Sequence, residues 1–349
     1  MLATDTYVTR PEIKGEVRNE LKLFWDHLSA PLRPFLDKVS DGLLRQVGYF
    51  EPEVAEFAKY ALENQGKQLR PLLVGLSAKS TGGTNEQHVK VAIIIEMIHL
   101  ATLVHDDIMD HADIRRSRPT LASRWGSEIA VMLGDCLFAH ALKLASEFPT
   151  VDVCRVVSES TRTVCSGEII QNFRKTRVQG ARERYFRVIR MKTAELFALS
   201  CDQGAFHNEA PMEVREKLKT FGMSFGTAYQ IFDDLLDLFG SENSVGKSLG
   251  TDLLTGKLTL PIIHILESNK DLSPDQTLQK LNGSFPEAMQ YFLDQASKHE
   301  TLPHCRQTIQ EELFKAENAI LSAGIGNRGD AMHQLMNFLR KLTQTHFPK

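Results

Sequence analysis

Two acidic clusters carry the chemistry that this sequence can do. Asp106, Asp107 and Asp110 stand at i, i+1 and i+4, directly after the apolar run 91–104. On a helix Asp106 and Asp110 lie one turn apart on one face. Carboxylates that close repel each other unless a cation sits between them. Arg115 and Arg116 follow just past the acidic turn. Carboxylates beside guanidinium groups suit a magnesium-bridged polyanion, above all a diphosphate, because the metal neutralises the acids while arginine grips phosphate oxygens in pairs. The same spacing recurs at Asp233, Asp234 and Asp237, again late in an apolar helix, with Gly240 as the stop signal. One such motif alone reads as a solvated acidic turn. Two copies, each followed by basic residues, point to carboxylates converging on a bundle interior. Mg²⁺ takes one or two carboxylates and fills its shell with water and phosphate, so such a set can hold several ions.

These clusters must be positioned by helices. Helical periodicity marks 13–28, with apolar Val17, Leu21, Phe24, Trp25 and Leu28. Pro31 and Pro34 break it, and further helices are expected at 36–47, 52–62, 128–145 and 153–172. Residues 174–187 read as a basic, exposed connection, and a new apolar helix opens at Arg190. Short Gly, Pro and Asn punctuation separates the helices, and no run alternates as a strand does. The fold class is therefore all-α, a helical bundle around a central cavity. An N-terminal extension with a first helix (1–30) is expected to precede a single domain (31–349).

The chain has 349 residues, 42% hydrophobic and 24% charged, with net charge −3. That composition suits a sizeable core and does not suggest nucleic-acid binding. Cys136, Cys154, Cys165, Cys201 and Cys305 are odd in number and show no CxxC spacing, which fits a reducing, cytoplasmic setting. The start of the chain lacks a basic-then-apolar signal pattern. The apolar run 91–104 is too short for a bilayer and is interrupted by Glu96 and His99, so no membrane-spanning helix is expected.

The two acidic motifs in order, with the basic segments around them, resemble the trans-type polyprenyl diphosphate synthases. These are head-to-tail prenyltransferases with two DDxxD motifs, and the resemblance covers 50–266 well. It implies the isoprenoid-synthase bundle, two or three Mg²⁺ ions (or Mn²⁺) held by Asp106, Asp110 and Asp233, and a homodimer. Asp107, Asp234 and Asp237 would complete the metal shells directly or through water. Lys67 and Arg70, in Gln65-Gly66-Lys67-Gln68-Leu69-Arg70-Pro71, match the segment that binds isopentenyl diphosphate. Gln65 and Gln68 depart from the family's usual glycine and arginine. His99 and Arg116 join that acceptor site by the same match. Arg115, Lys192, Lys247 and Lys257 match the cations that grip the allylic diphosphate. Thr193 beside Lys192, and Gln230 one turn before Asp233, offer oxygen dipoles suited to a developing carbocation. Ser117 replaces the glycine usual after the arginine pair, and Gly134 and Gly167 sit inside helices where close packing must explain them.

The reaction implied is loss of pyrophosphate from the allylic substrate, attack by the acceptor double bond, and loss of a proton to the departing pyrophosphate. Competing readings are a non-catalytic subunit of a heteromeric synthase and a class I terpene cyclase. The first usually lacks an acidic motif, and the second needs no acceptor site. Ala101 and Thr102 lie five and four residues before Asp106, roughly 6–8 Å below it on a helix. In the family an aromatic residue here floors the pocket. Two small residues leave it open toward Leu137, Phe138, Ala141 and Leu142, so a product longer than farnesyl is expected, with geranylgeranyl diphosphate the shorter alternative. A very apolar product would bring the enzyme to a membrane surface for release.

Overall fold

The computed structural model describes residues 15–173, 178–240, 250–269, 272–280 and 284–347. Seventeen α-helices are present among them. The first half carries α1 (Gly15–Ser29), α2 (Arg33–Arg45), α3 (Pro52–Glu63), α4 (Leu69–Thr81) and α5 (Glu86–Met109). A two-stranded ribbon follows, β1 (Ile114–Arg115) with β2 (Arg118–Pro119). Then come α6 (Leu121–Trp125), α7 (Ser127–Ser146), α8 (Asp152–Phe173), α9 (Ala181–Ile189), α10 (Glu195–Phe206) and α11 (Met212–Phe239). The chain closes with α12 (Thr251–Leu254), α13 (Leu260–Ser268), α14 (Pro274–Gln279), α15 (Phe285–Lys298), α16 (Thr301–Ser322) and α17 (Asp330–His346).

α5 is apolar on every side, and Val91, Ala92, Ile94, Ile95, Met97 and Ile98 are fully buried. A helix of that kind belongs at the centre of a bundle. Its start is fixed by Asn85, whose side chain accepts from the Gln87 and His88 backbone N–H groups. α11 is the other long axis, and glycines seat it tightly. A Cβ added at Gly222 would lie 2.5 Å from the Phe197 carbonyl oxygen, and one at Gly226 would lie 2.7 Å from Ala194 Cα. One turn apart on α11, they let the α10 backbone approach as a larger side chain could not.

Several expectations need correcting. α1 ends at Ser29, ahead of Pro31 and Pro34 as expected, but the second helix opens at Arg33 rather than at 36, with Pro34 in its first turn, where its missing N–H costs nothing. The basic stretch before Arg190 contains α9, whose Tyr185, Val188 and Ile189 are buried. The first helix packs on the last, with Phe24 stacked on Phe338 at 5.4 Å and Lys341 bound to Glu20 at 2.6 Å. One helix, α7, is long and apolar enough to cross a membrane by length and composition. In the fold its Ala130, Leu133, Leu137 and Ala141 are buried, while Ile129, Val131 and Met132 stay exposed. Gly134 explains itself here: a Cβ would strike the His105 ring of α5 at 2.1 Å.

The ribbon pairs Ile114 with Pro119 and Arg115 with Arg118, which leaves Arg116 and Ser117 as a two-residue turn. Both have positive φ, 51° and 59°. That is the type I′ pattern, which usually takes Asn or Gly. Ser117 therefore bears some backbone strain, yet the turn still sends the two arginines to different neighbours.

Candidate active site

Both acidic motifs end their helices. Asp110 is the C-cap of α5, and Gly240 closes α11 just after Asp237. The C-terminal end of a helix carries partial negative charge, so acids there are badly placed for helix stability. Nearby cations are needed to hold them. The two ends open on one cavity of about 1570 Å³, larger than the ~300–1,000 Å³ of an ordinary small-molecule site. Asp106, Asp110, Asp233, Asp234 and Asp237 all line it.

Ammonium groups stand against the first motif. Lys192 Nζ is 3.4 Å from Asp106 Oδ2 and is also paired with Glu168. Burial works against the Lys192 charge, but Asp106 and Glu168 outweigh it and hold the pKa above the ordinary lysine value. Burial pushes Asp106 up to about 6 despite Lys192, with Glu168 and Asp110 adding repulsion. Lys257 Nζ donates to Asp110 Oδ1 at 2.5 Å and lies 3.8 Å from Asp252.

Three of the other four motif acids, Asp107, Asp234 and Asp237, are held by protein donors. Asp107 is buried and accepts from Arg115 Nε at 2.5 Å. Asp234 accepts from Tyr185 Oη at 2.6 Å and Gln230 Nε2 at 2.8 Å. Burial, with Asp252 nearby, pushes Asp234 well above the carboxylate range, and burial beside Asp234 does the same to the Tyr185 phenol. Asp237 accepts from Thr251 Oγ1 at 3.0 Å and from the Asp252 backbone N–H at 3.1 Å. It thereby moors the start of α12 to the end of α11. Each of these three thus has a protein partner of its own, and Asp234 and Asp237 also line the cavity.

Lys192 and Thr193 lie in a π-helical turn, Arg190–Ala194, between α9 and α10. Such turns are frequent at functional sites. Gly167 of α8 makes room for it, since a Cβ there would sit 3.0 Å from the Lys192 backbone nitrogen. Thr193 donates to Gln230 Oε1 at 2.7 Å, and Gln230 in turn donates to Asp234. This chain fixes both side chains on the cavity wall, close to the acids.

The other end of the cavity is a basket of cations. Lys67, Arg70, His99 and Arg116 all line it. Gly66 has φ 61°, and a Cβ there would fall 2.5 Å from Arg116 Cζ. The glycine therefore lets the Arg116 guanidinium lie against the loop, where it donates to the Asn64 carbonyl. Burial lowers the Lys67 pKa and brings Arg70 down to about 10, with Glu96 opposing the fall. Arg70 also stacks over the Phe197 ring at 5.0 Å. Burial holds His99 well below its usual range, and Arg70, Arg116 and Arg115 add to the effect. It is neutral at neutral pH. The departures at Gln65 and Gln68 form a pair, Gln68 donating to Gln65 while Gln65 reaches the Ser40 carbonyl at 3.4 Å.

The sequence-derived residues therefore gather on one cavity, with three exceptions. Asp107 lies behind its wall. Ala101 is fully buried in the core and is not among the described residues that line the cavity, whereas Thr102 is. On a helix Thr102 is about 40° from Asp106 and Ala101 about 140°, so only the former shares its face. Lys247 lies outside the described residues. Glu96, Glu168, Tyr185 and Asp252 were not singled out for a role. An acid inside an otherwise apolar helix was the available signal for Glu96, and its place beside Gly167 for Glu168.

The motif acids offer carboxylate oxygens to the cavity, which suit a hard divalent cation. Among the described residues no three acids or imidazoles close into a cage by themselves. Lys192 and Lys257 already stand where positive charge is required.

An all-helical bundle whose one cavity is lined by two acidic motifs and a basket of cations has the parts of an enzyme that handles polyanions through metal ions. The comparisons with known proteins agree. The polyprenyl synthetase family model matches residues 51–294. The heptaprenyl diphosphate synthase component 2 of Geobacillus stearothermophilus is 37% identical over 251 residues, 72% of this chain and 77% of that protein. The octaprenyl diphosphate synthase of Haemophilus influenzae is 30% identical over 297 residues, 84% and 90% of the two chains. A decaprenyl diphosphate synthase from Rhodobacter capsulatus superposes with TM-score 0.83 at 28% identity, covering 90% of this chain and 98% of that one. A polyprenyl synthase from Caulobacter crescentus, solved with calcium and isoprenyl diphosphate, gives 0.80 at 26% identity, covering 95% and 99%. The chain belongs to the polyprenyl synthetase family and is a trans-polyprenyl diphosphate synthase.

Proposed function

We propose that this enzyme condenses isopentenyl diphosphate with an allylic diphosphate to make an all-trans product longer than farnesyl diphosphate. What supports the reading is one cavity lined both by the motif acids with Lys192 and Lys257 and by the cations Lys67, Arg70 and Arg116. Asp106, Asp110 and Asp233 hold two or three Mg²⁺ ions, with Mn²⁺ an alternative. Those ions supply Lewis-acid stabilisation to the departing pyrophosphate. Arg115, Lys192, Lys247 and Lys257 bind oxygens of the same group. Lys67, Arg70, His99 and Arg116 hold the acceptor. Thr193 and Gln230 aim fixed dipoles at the carbon that becomes cationic. The C–O bond to pyrophosphate breaks, the acceptor double bond forms the new C–C bond, and the released proton passes to pyrophosphate.

Incubation with Mg²⁺, isopentenyl diphosphate and short allylic primers, followed by chromatography of the products, tests this. Elongated chains are expected. Cyclised products formed without the acceptor would replace the reading with a terpene cyclase. Activity only in the presence of a second protein would make this chain one part of a heteromer, as the name component 2 says of the Geobacillus relative. Thr102, Val131, Phe138 and Val164 line the apolar part of the cavity, and the relatives' names support a long product. Thr102→Phe is expected to shorten the chain at unchanged rates of the first condensation. Unaltered product length in an active Thr102→Phe enzyme would show that the tail takes another route. Ala101→Phe is expected to destabilise the fold by about 1–3 kcal/mol, since it overfills a packed core.

The outer face of α7, with Ile129 and Met132, is the surface we assign to a homodimer. Met132 is 64% exposed, and an apolar face of that kind needs a cover. Met132→Glu is expected to shift the sedimenting species toward the monomer, and an unchanged mass would remove α7 from the interface. We place the enzyme in the cytoplasm, in keeping with five unpaired cysteines. Exposed Met109, Ile169 and Leu254 on the cavity rim suit brief contact with a membrane as an apolar product leaves. Cell fractionation with an antibody tests both, and a wholly membrane-embedded protein would refute them.

A further inference from the structure

Glu96 is out of keeping with the cationic basket it lines. It is 1% exposed, and its Oε2 has no hydrogen-bond partner. Buried polar atoms are nearly always partnered, so an orphan aimed into a cavity asks for a ligand atom. Arg70, half-buried, leaves its Nε without a partner beside it. The charged and titratable groups at this end come from every surrounding element. They are Arg70 of α4, Arg116 of the ribbon turn, Lys67 of the loop before α4, His99 one turn along α5, Tyr229 of α11 and His346 of α17. The fields of Arg70 and Arg116 are the ones that reach Glu96.

We propose that Glu96 is a protonated partner of the acceptor diphosphate: its neutral carboxyl donates a hydrogen bond to a diphosphate oxygen, so acceptor binding takes up a proton. The proposal rests on the assignment of this basket to isopentenyl diphosphate. An ionised carboxylate facing a diphosphate inside the protein would be repelled by it. A protonated carboxyl instead becomes a donor. Burial pushes Glu96 up to about 7 even against Arg70 and Arg116. An arriving diphosphate engages those two cations and adds negative charge of its own, and both changes favour the acid form. Burial and the nearby arginines hold His99 well below its usual range, and any proton it takes up is common to wild type and Glu96→Gln. Glu96 is thus a binding residue whose protonation follows occupancy.

Calorimetry of isopentenyl diphosphate binding, in buffers of different ionisation enthalpy near about pH 8, counts the protons taken up. The wild type is expected to take up close to one proton more than Glu96→Gln. Titration of the diphosphate itself is common to both proteins and cancels. The amide of Glu96→Gln also donates, so its acceptor KM is expected to stay within about threefold of wild type and to lose the rise with pH that wild type shows. Glu96→Ala is expected to raise that KM about tenfold or more and leave the allylic KM unchanged. Equal proton uptake in wild type and Glu96→Gln would overturn the proposal. So would a Glu96→Gln enzyme that loses the acceptor as Glu96→Ala does. If Lys67→Ala and Arg70→Ala left acceptor binding intact, the basket itself would be misassigned, which is a separate failure.

Discussion

Asp106→Ala and Asp233→Ala are each expected to cut turnover by about a thousandfold or more, on the order of 4 kcal/mol in the barrier, with the fold intact. The size follows from what these two acids do in the proposed reaction. They hold the cations that stabilise pyrophosphate as it departs, and no side-chain nucleophile offers a second route. The stability follows from position. Asp106 lies in the last turn of α5, where negative charge meets the negative end of the helix. Burial and its acidic neighbours already raise its pKa to about 6, so its ionised form is a burden on the fold. Removing it is expected to leave the melting temperature unchanged or slightly higher. Product formation and helical circular dichroism should be measured on the same samples. Turnover within tenfold of wild type in either variant would end the two-motif metal assignment.

Lys192→Ala should be the next most severe change, with kcat down about a hundredfold or more and the allylic substrate affected rather than the acceptor. Its ammonium is the counter-charge for both Asp106 and Glu168. Without it two buried carboxylates face each other, and an incoming allylic diphosphate meets a more negative wall. Lys67→Ala and Arg70→Ala act at the opposite end of the cavity and are expected to raise the acceptor KM while leaving kcat closer to wild type. Steady-state kinetics with each substrate varied in turn separates the cases. A Lys192→Ala enzyme that resembled Lys67→Ala in both parameters would mean that the two ends are not distinct.

The parts that could be read from sequence are those with local periodicity. α5 and α11 announced themselves by apolar runs that stop at acids, whereas Lys67, Arg70 and Lys192 were legible only through the family resemblance of their segments. What could not be read depends on partners far along the chain. That Asp237 also moors Thr251 and Asp252 could not be read, because those partners fold back from beyond α11. Glu96 looks like an interruption in a greasy helix until Arg70 and Arg116 arrive from two other elements. Ala101 and Thr102 are adjacent and similar in size, and only the rotation of α5 against its neighbours tells which one faces the tail. The ribbon turn was hidden because Ser117 replaces the residue type that normally betrays a left-handed position.

The π turn at Arg190–Ala194 has a consequence for how this gene can change length. A π turn is an α-helix carrying one surplus residue, and each residue in a helix advances the side chains by about 100°. Ahead of the surplus, α9 buries Tyr185 against Asp234. Behind it, α10 lies on the glycines of α11. Delete one codon anywhere in this turn and the helix can run on unbroken, but its two halves fall out of phase. Either Tyr185 or the α10 seat must then rotate away. Point substitutions at Met191 leave that phase untouched. The segment is therefore open to changes of spelling and closed to changes of length, and once acquired the extra residue is hard for the lineage to lose.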